Sequence, residues 1–170
     1  MVHFSAISAL TIIVALALRP PANERPHLGR EIAAAAATVG DGGRLDLAKV
    51  ADFPWDRVHM FLAYSGKNEI YDGLGFEWLP VGPVEAVLFD GNLMLSSDEL
   101  TLLVFVRGQR EVTGWTILNR EEFAEPTYVQ FDFGEDGATV SSRHNASFVV
   151  KDVTGKLADP RYTGWLLSRD

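Results

Sequence analysis

Reactive and ligating side chains are densest in one short stretch, "ADFPWDRVHMFLAY", Ala51 to Tyr64. It sets an acid (Asp56), a guanidinium (Arg57) and an imidazole (His59) close behind an indole (Trp55). An acid and a histidine together can serve general acid–base chemistry or share a metal ion, and an arginine among aromatic rings is the composition of a binding hot spot. The spacing argues against joint ligation, because Asp56 and His59 fall on opposite faces of a strand. His3, His27 and His144 lie in separate segments, and Asp52, Glu69, Asp72 and Glu77 could join Asp56 only through the fold. No metal site, no cofactor and no catalytic residue is therefore assigned.

The usual catalytic patterns are missing as well. There is no G-x-S-x-G elbow, no S-x-x-K, no H-E-x-x-H and no phosphate-binding glycine loop. "DFG", Asp132 to Gly134, reads as a strand running into a turn, and "GLGFEW", Gly73 to Trp78, lacks the third glycine of a nucleotide fingerprint.

With Arg57 to Ala63 as a strand, Val58, Met60, Leu62 and Tyr64 point one way and Arg57, His59, Phe61 and Ala63 the other. The first row is assigned to the core. The second, in line with Trp55, is a mixed aromatic and cationic row. The candidate binding residues are Trp55, Arg57, His59 and Phe61, with Tyr64 at the end of the strand. Asp56 follows Pro54-Trp55 where the strand begins, so its carboxylate suits the backbone N–H groups of a turn or an arginine partner. Asp56 and Trp78 are read as structural.

The elements that must hold this stretch are mostly strands. From Leu45 onward the apolar pattern has period two, with turn residues every eight to twelve positions. Strands are expected at 45–50, 57–63, 84–89, 93–95, 100–107, 111–118, 128–133, 138–142, 147–153 and 162–167. "LTLLVFVR", Leu100 to Arg107, is apolar on both faces and should be a central, doubly covered strand. The covering helices are an alanine-rich one, Glu31 to Val39, stopped by "GDGG", and a short one, Gly66 to Leu74, N-capped by Ser65. The fold class is α+β, mainly β: an antiparallel meander sheet with one or two short covering helices and an N-terminal hydrophobic helix. Three segments follow: a signal peptide or membrane anchor at 1–18, a linker at 19–44 holding a lightly packed alanine helix, and one β-rich domain at 45–170.

The 170 residues carry a formal net charge of -8 and an estimated pI of about 4.9. That field repels nucleic acid, which is excluded as a partner. The absence of cysteine removes disulfides, thiol chemistry and a lipidated N-terminus. Phe4 to Leu18 is uncharged. As a helix it is about 22 Å long, short of the roughly 30 Å bilayer core. It reads as a signal-peptide core with Ala15-Leu16-Ala17 as the cleavage pattern, or as a tether through residues 4–18. Either way the domain works outside the cytoplasm, periplasmic or extracellular, free or anchored to the inner membrane.

"FPWDRVHMFLAY" followed by "GLGFEW" resembles an uncharacterised family of small exported bacterial proteins, in which a W-D-x-[VL]-[YH]-x-F-x-x-Y segment leads through a short helix to a Gly-[FI]-x-W ending. The matching residues are Phe53, Trp55, Asp56, Val58, His59, Phe61, Tyr64, Gly75, Phe76 and Trp78. The resemblance implies an exported or envelope protein and brings no activity and no catalytic residue. Tyrosine is common where His59 stands, so it implies no titrating imidazole. The function expected is a non-catalytic exported domain that binds a protein or cell-envelope component. The alternatives are an immunity or inhibitor protein, whose acidity suits a basic active site, and a hydrolase built on Asp56, His59 and His144.

Overall fold

The computed structural model describes residues 23–62, 65–80, 100–119, 127–132, 139–156 and 163–169. The hydrophobic residues 4–18 and the strands expected at 84–89 and 93–95 lie outside them. In chain order the described elements are α1 (Leu28–Val39), β1 (Arg44–Asp46), α2 (Leu47–Val50), β2 (Arg57–Phe61), α3 (Lys67–Leu74), β3 (Thr101–Arg107), β4 (Glu111–Leu118), β5 (Thr127–Phe131), β6 (Thr139–Ser142), β7 (Ser147–Asp152) and β8 (Thr163–Ser168).

The chain is mostly strand, as the period-two pattern implies, with a few short helices. The described strands form two four-stranded sheets, ordered β4-β3-β2-β6 and β1-β7-β8-β5. Pairings between these strands are antiparallel except β5 with β8, which is parallel. The single meander expected from the turns is thereby corrected: among the described residues β3 and β4 form the one short hairpin, while β6 and β7 are split between sheets by the turn at Arg143–Asn145. The reason is burial. One core holds Val58, Met60, Leu103 and Phe105 of the first sheet together with Val129, Phe131, Phe148, Val150 and Leu167 of the second. Each sheet covers the other's apolar row.

β3 has six consecutive buried side chains, Thr101 to Val106. Its register shows how both faces are used. Met60 lies beside Leu103, and Val58 beside Phe105, on the face toward the second sheet. On the outer face Phe61, Leu102 and Ile117 stand in one row, and His59, Val104 and Trp115 in the next. A second apolar cluster covers that outer face, with Ile70 and Leu74 of α3 and the partly buried Phe76, Trp78 and Leu79 packed against it.

Two local expectations are corrected. Leu45 to Val50 is not one strand, because the Asp46 carboxylate accepts the Ala48 N–H at 3.0 Å and caps a single helical turn, α2. α3 is preceded by Gly66 rather than Ser65 at its N-cap, with the Glu69 carboxylate accepting the Gly66 N–H at 2.8 Å.

The alanine-rich helix also departs from expectation, since it is packed rather than loose. Leu28, Ile32, Ala33 and Ala36 recur on one face and are buried in the core between the sheets. Alanine's small side chain lets the helix approach the strands closely, and Leu28 and Ile32 supply the apolar bulk. Residues just before α1 are tied down as well. The Trp115 N–H donates to the Asn23 carbonyl at 3.1 Å and the Arg25 N–H to the Trp115 carbonyl at 2.8 Å, so this part of the expected linker lies along the free edge of β4.

Other strand edges are closed by side chains. The Asn119 amide donates to the Val129 carbonyl at 2.8 Å and accepts its N–H at 3.0 Å, imitating a paired strand along β5. Arg169 donates to the Val140 carbonyl at 2.7 Å on β6. Such devices keep exposed edges from pairing with other chains.

If α1 is part of the core, Ile32→Ala, at a fully buried position, should lower stability by about 2–4 kcal/mol in chemical denaturation. A change within about 0.5 kcal/mol, as at an exposed site, would contradict that packing.

Candidate functional site

The stretch from Ala51 to Phe61 enters the first sheet at β2. The Asp56 N–H donates to the Val106 carbonyl at 2.9 Å, and the Asp56 carbonyl accepts the Arg143 N–H at 2.8 Å, fixing the corner on both sides. Its carboxylate accepts the Gly108 N–H at 2.6 Å. Gly108 sits at φ +58° in the β3–β4 turn, where a side chain would be strained. Arg57 grips the same turn from its other polar groups, donating to the carbonyls of Gly108 and, at 2.8 Å, Gln109. One acid and one base thus hold a single hairpin tip.

Arg57 also points inward. Its Nε–H donates to His59 Nε2 at 3.0 Å, which makes Nε2 the acceptor nitrogen and leaves the ring proton on Nδ1. His59 is 5% exposed. Burial first, and the Arg57 cation second, lower its pKa from 6.5 to about 4, with the Gly73 backbone pulling the other way. At neutral pH the imidazole is therefore uncharged. Nδ1 is buried, and among the described residues it makes no hydrogen bond of normal geometry. The Phe61 ring lies parallel to the imidazole at 6.3 Å, and α3 comes so near that a Cβ on Gly73 would stand 2.7 Å from Phe61 Cε1.

Trp55 belongs to the opposite side of the sheet. It is 2% exposed in the core between the sheets, its Nε1–H donates to the Ala51 carbonyl at 3.1 Å, and its ring meets Phe105 edge-on at 5.2 Å. The expected open row of Trp55, Arg57, His59 and Phe61 is thus not formed: Trp55 packs inward, His59 and Phe61 are buried outward, and Arg57 is half-buried. The alternation argument failed because it assumed one wet face, whereas both faces of this sheet are covered. Tyr64 lies outside the described residues. Trp78 meets Trp115 edge-on at 6.2 Å within the outer cover.

Arg143 was not foreseen. Its guanidinium lies 5.1 Å from the Trp55 ring and donates to the carbonyls of Phe53, at 2.6 Å, and Ala48, at 3.3 Å. It holds the loop from Ala48 to Phe53 in place, and nothing in the local sequence "SSRHNAS" signals that reach. His144, beside it, is exposed. His59 is buried and the Asp56 carboxylate is engaged with Gly108, so these three do not assemble into an acid–base site. No group of three or more His, Asp or Glu among the described residues is placed to hold a metal ion.

Ionisable groups meet instead in a cleft of about 270 Å³ beside α1, lined by Glu24, Arg25, His27, Glu31, Asp52 and Phe53 among others. The Arg25 guanidinium lies 4.5 Å over the Phe53 ring and forms part of its wall. Glu31 and Asp52 are exposed. A second cavity of about 170 Å³, between α1 and the β4–β5 edge, is walled by Gly29, Ala33, Ala37, Leu118 and Val129. Its polar lining residues are Arg30, Asn119 and Thr127.

If the corner is structural, Trp55→Ala should lower stability by about 3–5 kcal/mol. Asp56→Ala should lower it by only about 1 kcal/mol, because the Gly108 amide it frees can turn to water, and should shift the Gly108 amide resonance. Urea denaturation and an amide NMR spectrum check both; an unchanged midpoint for Trp55→Ala would contradict its burial.

Comparison with protein-family models, with curated proteins and with solved structures finds no match to this chain.

Proposed function

We propose that the protein is a non-catalytic exported domain that binds a basic group of a protein or cell-envelope component in the cleft beside α1. The observation that carries this reading is the contrast between two sets of polar residues. Asp56, Arg57 and His59 are consumed by the fold. Glu31 and Asp52 stand exposed around a concave surface reachable from solvent, whose wall holds the Phe53 ring with the Arg25 guanidinium stacked over it. A net charge of -8 steers a basic partner toward the domain. The same charge favours a second reading, an immunity or inhibitor protein directed at a basic active site.

Export is part of the proposal and rests on the uncharged run Phe4 to Leu18, the Ala15-Leu16-Ala17 pattern and the resemblance carried by Phe53 to Trp78. Among the described residues no helix is long and apolar enough to cross a membrane. A tether would act through the uncharged residues 4–18.

Two experiments test the proposal. Glu31→Lys combined with Asp52→Lys alters only exposed side chains, so the domain should stay folded while recovery of partners from an envelope fraction falls about tenfold or more. Undiminished recovery by the folded double variant would remove the cleft as the binding surface. N-terminal sequencing of the mature protein should begin at Leu18; an intact Met1 would rule out cleavage after Ala17.

A further inference from the structure

His59 is held in an arrangement that only a neutral ring tolerates. It lies on the outer face of the first sheet, beside Val104 of β3 and Val140 of β6, on the side that α3 covers. Its Nε2 is filled by the Nε–H of Arg57, whose other nitrogens hold the Gly108 and Gln109 carbonyls. A proton on Nε2 would set donor against donor and cation against cation. α3 carries Lys67, Glu69, Tyr71 and Asp72, and Glu69 is turned back to the Gly66 amide. Asp56, on the corner before β2, gives its carboxylate to Gly108. Among the described residues Arg57 is the charged group that acts on the imidazole, and the Gly73 backbone is the polar group that α3 turns toward it.

We infer that His59, Arg57 and α3 form an acid-released latch, in which protonation of the imidazole detaches α3 from the outer face of the first sheet and loosens the turn at 108–110. Local opening is the cheaper response because α3 buries only Ile70 and Leu74, whereas the inner core joins both sheets and α1. Release bares the apolar row around Phe61 and frees the hairpin tip that Arg57 holds. The direction follows from proton linkage. The closed form keeps the ring neutral down to about pH 4, while in the open form the ring takes its ordinary value of 6.5. Closure is therefore at full strength above pH 6.5, weakens as pH falls from 6.5 to 4, and changes no further below that.

Amide hydrogen exchange on the full chain tests this latch. Protection of the α3 amides from Ile70 to Leu74 should fall by up to about tenfold per pH unit between 6.5 and 4, while β7 and β8 stay protected. His59→Gln, whose amide oxygen can still accept from Arg57 but does not titrate, should show no such fall. Arg57→Gln, which removes the opposing cation, should shrink the total fall. The inference is overturned if α3 and β7 lose protection together, if His59→Gln shows the wild-type fall, or if Arg57→Gln leaves the fall unchanged.

Discussion

A strand reading "TLLVFVR" cannot leave either face in water. With every side chain from Thr101 to Val106 buried, β3 requires cover above and below, and its neighbour β2 is drawn into the same double burial. The second sheet and α1 supply one cover; α3 and the Phe76 to Leu79 segment supply the other. His59 sits on β2 and so has no wet face to turn to. Arg57 meets its acceptor nitrogen, which removes one desolvation penalty while adding a nearby cation that keeps the ring neutral.

The polar residues at the corner then become legible as fasteners. Asp56 and Arg57 bind one turn by its amide and its carbonyls, and Arg143 ties the Ala48 to Phe53 loop to the Trp55 ring. The edges are finished in a similar way, with residues 23–25 along β4, Asn119 along β5 and Arg169 at β6. Charge and hydrogen bonding here serve closure of the sheets. The cleft beside α1, by contrast, gathers the exposed Glu31 and Asp52 around a concave surface.

Much of the secondary structure could be read directly from the residues. The doubly apolar β3, the hairpin into β4 and the alternation of Val129 and Phe131 against Tyr128 and Gln130 all stand as their patterns imply. Sheet membership could not be read, because period two says which residues share a face and nothing about which strands are neighbours. The parallel pairing of β5 with β8 has no local signature. The helix at 66–74 was expected to cover Leu100 to Arg107, and it does, but that cover was not carried across to the neighbouring row of His59 and Phe61. Helix α1 shows a subtler limit: Leu28 and Ile32, with two buried alanines, are enough to seat an alanine-rich helix in the core.

The central claim is that the polar residues of the β2 corner are structural, with His59 buried, uncharged and accepting from Arg57. It is tested most directly by nitrogen NMR of the His59 ring in the folded protein across the acid range. The expected result is a neutral ring protonated on Nδ1 that stays uncharged to about pH 4. A ring titrating with a midpoint near 6.5, as an exposed histidine does, would contradict it.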